Sequence, residues 1–162
     1  PFEPPAPSWG SRYHCRDFSQ ILRLGGTAVD RLSPERRSWL MSRIRGSNTK
    51  PEIEVRSMLH GMGYRFRLHR RDLPGTPDIV LPGRAAVVFV HGCFWHGHAC
   101  KRNKMPKSNA VYWNEKIEAN RRRDARKRRA LGALGWKVVI VWECELKRPE
   151  KLADKLQRVL GD

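Results

Sequence analysis

Between positions 93 and 100 the chain reads Cys-Phe-Trp-His-Gly-His-Ala-Cys, so two thiols and two imidazoles fall within eight residues, and Cys144 lies far downstream. Soft thiolates beside an imidazole suit tetrahedral zinc, and a Cys₃His set leaves no ligand position open for chemistry. The expected set is Cys93, His98, Cys100 and Cys144, a structural zinc that obliges two distant segments to meet. The plainer alternative, buried cysteines beside surface histidines, is disfavoured by so many donors directly after an apolar run. No charged-then-apolar leader is read at the start, so neither export nor a disulfide framework is expected, and the expected location is the cytoplasm.

Around this cluster the pattern alternates helix and strand. Ser33-Pro34-Glu35 puts an N-cap, a first-turn proline and an acid in series, opening a helix that should stop at Gly46. Thr49-Lys50-Pro51-Glu52 is a capping box, and Val55, Met58, Leu59 and Met62 follow it at helical spacing until Gly61 and Gly63. Tyr64, Phe66 and Leu68 alternate with arginines as a half-buried strand should. After the turn Leu73-Pro74-Gly75-Thr76-Pro77, Asp78 to Leu81 and Ala85 to His91 read as strands joined at Pro82-Gly83. A long helix from about Ser108 to Leu134, a buried strand from Trp136 to Trp142 and a helix lined by Leu152, Leu156, Val159 and Leu160 complete the order. The expected class is mixed α/β, one sheet flanked by helices, over residues 31–162. Residues 1–30, crowded with Pro1, Pro4, Pro5 and Pro7 and ending near Gly25-Gly26, are expected to be a disordered or loosely packed extension.

Net charge is +17, from 33 Lys+Arg against 16 Asp+Glu. The first 30 residues cancel internally, Arg12, Arg16 and Arg23 against Glu3, Asp17 and Asp30, so the excess belongs to the body of the chain. A body that basic attracts polyanions and gains from counterion release, which favours nucleic acid over an anionic membrane surface. No apolar run approaches the length of a membrane span. Seven of the nine residues from Arg121 to Arg129 are cationic. Wound into a helix they surround its axis, so two or three phosphate contacts are expected from them, with the remainder solvated.

The chemistry candidates are individually weak. Asp78 precedes an apolar strand, where a carboxylate costs desolvation unless it meets a metal or a donor. Phosphodiester hydrolysis uses such a group to hold Mg²⁺. His91 and His96 could approach it across the hairpin as base or acid, and are equally readable as zinc ligands or surface histidines. Glu52 is also the capping-box acid, and Asp124 also an ion-pair partner on a helix face. Phe94, Trp95 and Trp113 stand among polar residues, where large rings serve as core or as wedges between base pairs.

The run Phe89-Val90-His91-Gly92-Cys93-Phe94-Trp95-His96-Gly97-His98-Ala99-Cys100, with Leu73-Pro74-Gly75-Thr76-Pro77-Asp78 before it and Val141-Trp142-Glu143-Cys144 after, resembles the very-short-patch-repair (Vsr) endonucleases. The similarity runs from about Ser38 to Leu160. It implies a restriction-endonuclease-like fold and hydrolysis of one strand of duplex DNA at a T:G mismatch, just 5′ of the thymine. Asp78 falls at the family's metal-binding aspartate, Val90 at a backbone-carbonyl ligand, and His96 at the catalytic histidine. His91, Asp124 and Glu52 match positions that support metal-bound water and proton transfer. Cys93, His98, Cys100 and Cys144 match the zinc ligands, and Phe94, Trp95 and Trp113 the intercalating wedge. Threonine stands in some members where this chain has Val90, which preserves a carbonyl ligand and removes a hydroxyl. The Glu-x-Lys pair usual in the fold is missing from the family and from this chain, where Phe89-Val90-His91 stands. The implied cofactors are catalytic Mg²⁺ and structural Zn²⁺. The implied partners are mismatched duplex DNA at the bacterial nucleoid, mismatch-repair proteins, and a cytosine-5 methyltransferase as a functional companion. The rival readings are a zinc-stabilised DNA-binding module without catalysis, an RNA-binding protein, and a nicking endonuclease indifferent to mismatches.

Overall fold

The computed structural model describes residues 46–101, 103–106 and 110–161, together with positions 33, 36, 39, 42 and 43. The expected extension over residues 1–30 lies outside them, as does most of the first expected helix. Of that helix, Arg36, Trp39 and Ser42 are helical, and the Ser33 hydroxyl accepts the Arg36 N–H at 3.2 Å, the N-cap bond read from the sequence.

Helix α1 (Lys50–Gly61) is followed by strands β1 (Arg67–Leu68), β2 (Ile79–Leu81) and β3 (Ala86–His91). Helix α2 (Ala110–Ala133), strand β4 (Lys137–Trp142) and helix α3 (Pro149–Leu160) follow. The sheet order is β1-β2-β3-β4. β1 and β2 pair antiparallel, as do β2 and β3, whereas β3 and β4 are parallel. A parallel pair needs a long crossover, and α2 lies within it. This is the mixed sheet flanked by helices expected of a restriction-endonuclease-like domain. No described helix is long and apolar enough to cross a membrane.

Both faces of the central strands are covered, which is why β3 reads as an unbroken apolar run. On one face Ile79, Leu81, Val88, Val139 and Val141 meet Val55 and Leu59 of α1 and Leu152, Leu156 and Leu160 of α3. On the other, Val80, Val87 and Phe89 meet Leu73 and Leu131. One local expectation needs correction. The strand expected through Tyr64, Phe66 and Leu68 shrinks to two residues, and Leu68 is exposed. Edge pairing reaches only Val80 and Ile79, and the left-handed backbone of His69 (φ 47°) ends it. The β2–β3 hairpin expected at Pro82-Gly83 is present, closed by a 3₁₀ turn, Pro82–Arg84, and a left-handed Ala85.

The parallel register decides where the chemistry goes. It runs from Ala86 opposite Lys137 to His91 opposite Trp142, so β3 and β4 end level with one another. The segment 93–100 and Cys144 therefore leave the sheet side by side.

Candidate active site and metal centre

At that shared edge Cys93, His98, Cys100 and Cys144 converge, their ligand atoms all within 4.8 Å of one another. None of the three thiols is in a disulfide. Cys144 Sγ lies 3.4 Å from His98 Nδ1. Tetrahedral zinc with ordinary Zn–S and Zn–N bonds puts sulfur and nitrogen about 3.5 Å apart, so the donor set fits the ion in chemistry and in spacing. Burial pushes the Cys93 thiol up to about 12 and raises Cys144 as well. Crowded neutral thiols gain little from one another, and a cation is what stabilises them as thiolates.

The loop carrying three of these ligands is clasped by α2. Asn120 donates to the Trp95 carbonyl at 2.7 Å, and the Arg121 guanidinium donates to the carbonyl of Gly97. Gly97 has φ 63°, and a Cβ there would lie 2.7 Å from Ile117 Cγ2 and 2.8 Å from Arg121 Nε. Gly97→Ala is therefore expected to cost about 1–3 kcal/mol through backbone strain and overpacking, measured as a shift in the denaturant midpoint. An unchanged midpoint would show that this clasp is not rigid. On the far side of the cluster the His98 ring stacks on Trp142 at 4.2 Å, and Trp142 meets His91 edge-on at 5.4 Å. One tryptophan thus stands between the metal cluster and the histidines described next.

Asp78, His91, His96, Asp124, Glu52, Val90, Trp95 and Trp113 line one cleft of about 1010 Å³. Asp78 Oδ2 accepts the backbone N–H of Val90 at 2.8 Å, tying the end of β3 to the residue before β2. Burial raises the Asp78 pKa, the Val90 hydrogen bond opposes this, and nearby Glu52 adds to the rise. Glu52, His69 and Asp78 bring three potential donor atoms within 4.8 Å of one another, a second set able to hold a cation. Glu52 is buried and shared: its carboxylate accepts the Asn48 N–H at 2.9 Å, the Thr49 hydroxyl at 2.8 Å and Arg56 Nη2 at 2.9 Å. The capping box is thus present, and its acid also forms a wall of the cleft.

Facing this wall is the histidine pair. The rings of His91 and His96 stack at 3.8 Å and 8°. His96 Nδ1 lies 2.5 Å from Asp124 Oδ2; a carboxylate accepts, so Nδ1 carries the proton and Nε2 is the nitrogen left to take one up. The pKa of His91 falls to about 4, chiefly because it is buried and next because His96 stands beside it. His91 is therefore neutral at pH 7, which spares the stack a like-charge contact.

Phe94, Trp95 and Trp113 also meet, with ring centroids 5.1 to 6.0 Å apart in edge-on contacts. Phe94 and Trp113 are buried and Trp95 is partly open. Every site residue read from the sequence falls in the metal cluster, the cleft or this ring cluster. Reading the sequence missed His69, Arg56 and Tyr112. His69 hid in the alternation Arg67-Leu68-His69-Arg70, and no spacing rule announces a left-handed histidine.

A family model described as DNA mismatch endonuclease Vsr matches residues 29–102. The chain is similar to the Type II nicking enzyme V.XorIIP of Xanthomonas oryzae pv. oryzae, 61% identical over 132 residues, covering 82% of this chain and 97% of the relative. It is 43% identical to the Type II nicking enzyme V.NmeAIP of Neisseria meningitidis, covering 83% of this chain and 96% of the relative. With the DNA mismatch endonuclease Vsr of Escherichia coli it shares 44% identity over 74% of this chain and 76% of the relative. Among solved structures, the catalytic domain of homing endonuclease I-Bth0305I aligns with a TM-score of 0.47 at 20% identity, covering 69% of this chain and 94% of that one. The identities and coverage leave one conclusion: the chain belongs to the Vsr family of DNA endonucleases.

Proposed function

We propose that this chain nicks one strand of duplex DNA at a T:G mismatch, 5′ of the thymine, using Mg²⁺ held by Asp78 and the backbone carbonyl of Val90. The observation that carries this reading is the meeting, in one cleft, of a half-buried carboxylate, a histidine–carboxylate pair and an aromatic wall. A half-buried acid with a raised pKa beside further donors is the arrangement a hard divalent cation stabilises. When bound, Mg²⁺ supplies charge stabilisation for the phosphate and a more acidic water. His96, oriented by Asp124, offers Nε2 to the proton of the attacking water. His91 fixes the plane of that ring, and Glu52 adds charge beside Asp78. Cys93, His98, Cys100 and Cys144 would hold the structural zinc.

The mismatch preference follows from the rings. Phe94, Trp95 and Trp113 are packed on one another, so entering a base step parts contacts they already have. Unstacking a base step costs a further few kcal/mol. A wobble pair, already poorly stacked, lowers that cost and rewards the wrong pair over the right one. Losing one ring should therefore cost about one to two powers of ten in rate, from about 1–3 kcal/mol per stacked base. Trp95→Ala should reduce T:G cleavage far more than nonspecific binding, which belongs to the arginines and falls with salt. The test is a panel of labelled duplexes carrying each mismatch in varied flanks. Equal cleavage of matched and T:G duplexes would leave a nicking endonuclease indifferent to mismatches. That second reading is favoured by the description of two of the relatives above as Type II nicking enzymes.

A further inference from the structure

Six of the seven basic side chains between Arg121 and Arg129 are exposed, as a solvated helical run should be, and Lys127 is the exception. It is half-buried, stands one turn beyond Asp124 on α2, and lines the cleft shared by Asp78 and His96. Its hydrocarbon stem lies on Gly75, where a Cβ would sit 2.6 Å from both Lys127 Cγ and Cδ. The turn leading to Asp78 is thus shaped to that stem. Among the described residues neither a hydrogen bond nor an ion pair holds the Lys127 ammonium. Four carboxylates, Asp78, Glu52, Asp124 and Glu143, face the same cleft, and the Arg56 guanidinium is engaged by Glu52. The other lysine and arginine of its lining, Lys116 and Arg71, are exposed. The stem packs on the turn while the ammonium reaches the cleft, where an arriving anion is the partner it can take.

We propose that Lys127 is a catalytic residue of the nick, its ammonium contacting a non-bridging oxygen of the scissile phosphate and stabilising the charge that builds there. The assignment rests on reading this cleft as the cleavage site. In the reaction a P–O bond forms to the oxygen of water as the P–O bond to the departing sugar oxygen breaks. The proton of water passes to the base of the cleft and the departing oxygen takes one up, so Lys127 exchanges none. A compact ammonium with three rotatable donors can follow the phosphate oxygens as they move.

The experiment compares single-turnover nicking at saturating enzyme with duplex affinity by gel shift. Lys127→Met keeps the stem on Gly75 and removes the charge, and Lys127→Arg keeps the charge. The Met variant should lose about 10²–10³-fold in rate, the usual effect of removing one donor aimed at developing charge. Its affinity should fall by less than about tenfold, the share of one phosphate contact among many. The Arg variant should recover much of the rate. Thermal melting and zinc content report folding, and if Lys127→Met melts early, Lys127→Gln is read in its place. A charge-free variant that nicks at the wild-type rate once saturated, or whose whole loss lies in affinity, overturns the proposal. Asp78→Asn run in parallel separates the two readings. Full activity there means the cleft is wrongly assigned, whereas a dead Asp78→Asn beside a fully active Lys127→Met removes Lys127 alone.

Discussion

Asp78→Asn is expected to abolish nicking and leave duplex binding in place. The amide keeps the shape, and its oxygen can still accept the Val90 N–H that now ends on Oδ2 at 2.8 Å. What disappears is the charge that would hold a divalent cation, a contribution of several kcal/mol, or about three powers of ten in rate. Plasmid relaxation measures the first effect and gel shift the second; cutting at the wild-type rate would remove Asp78 from the active site. The same substitution carries a stability signature. Burial holds the Asp78 pKa above its unfolded value, so the native state binds the extra proton, and stability falls as pH rises from the unfolded pKa through the folded one. Above that window the ionised carboxylate is a burden that asparagine lacks. Without divalent cations at neutral pH, Asp78→Asn should therefore melt higher than the wild type, an exchange of stability for function.

The second large effect is Cys144→Ala, which should give insoluble or metal-poor protein. Structural zinc sites contribute about 10–16 kcal/mol in small peptides, against a total stability of about 5–15 kcal/mol for a whole domain. Elemental analysis of wild-type protein should find one zinc per chain, and well-folded protein without zinc would end this assignment. Structural coupling makes the loss reach further than the cluster. His98 stacks on Trp142, and Trp142 packs edge-on against His91, so a loosened Cys144 frees the strand end on which the histidine pair leans.

What could be read from the sequence was whatever depends on residue type at short range. Two cysteines and two histidines within eight residues mark a donor cluster able to hold a metal, and the level ends of β3 and β4 bring Cys144 to them. The capping box at Thr49 and the apolar stripe of α3 were equally legible, because each is a period or a pair within one turn. Asp78 could be suspected only for being out of keeping with Ile79-Val80-Leu81. Its neighbours Glu52 and His69 come from α1 and from the end of β1, and no local pattern reports that meeting. Lys127 was hidden for a different reason. In a run with cations on every side of the helix, the rotation of α2 against the sheet selects the one that turns inward, and that rotation is set by Trp113, Ile117 and Leu131. Leu68 failed in the opposite sense, since an alternating pattern on a two-residue edge strand has no sheet face to bury it.

The parallel pairing of β3 with β4 also sets an order of events in time. Cys144 follows Cys100 by 44 positions, and α2 lies between them. At about 5–20 residues per second of synthesis, the trio Cys93, His98 and Cys100 waits on the order of seconds before its fourth partner exists. Contacts this far apart in sequence are slow to form, because the intervening loop must close before they repay it. An ion caught early by the trio would retain an open position until β4 docks. The last strand to join the sheet is thus the step that would turn an exchangeable ion into a permanent one.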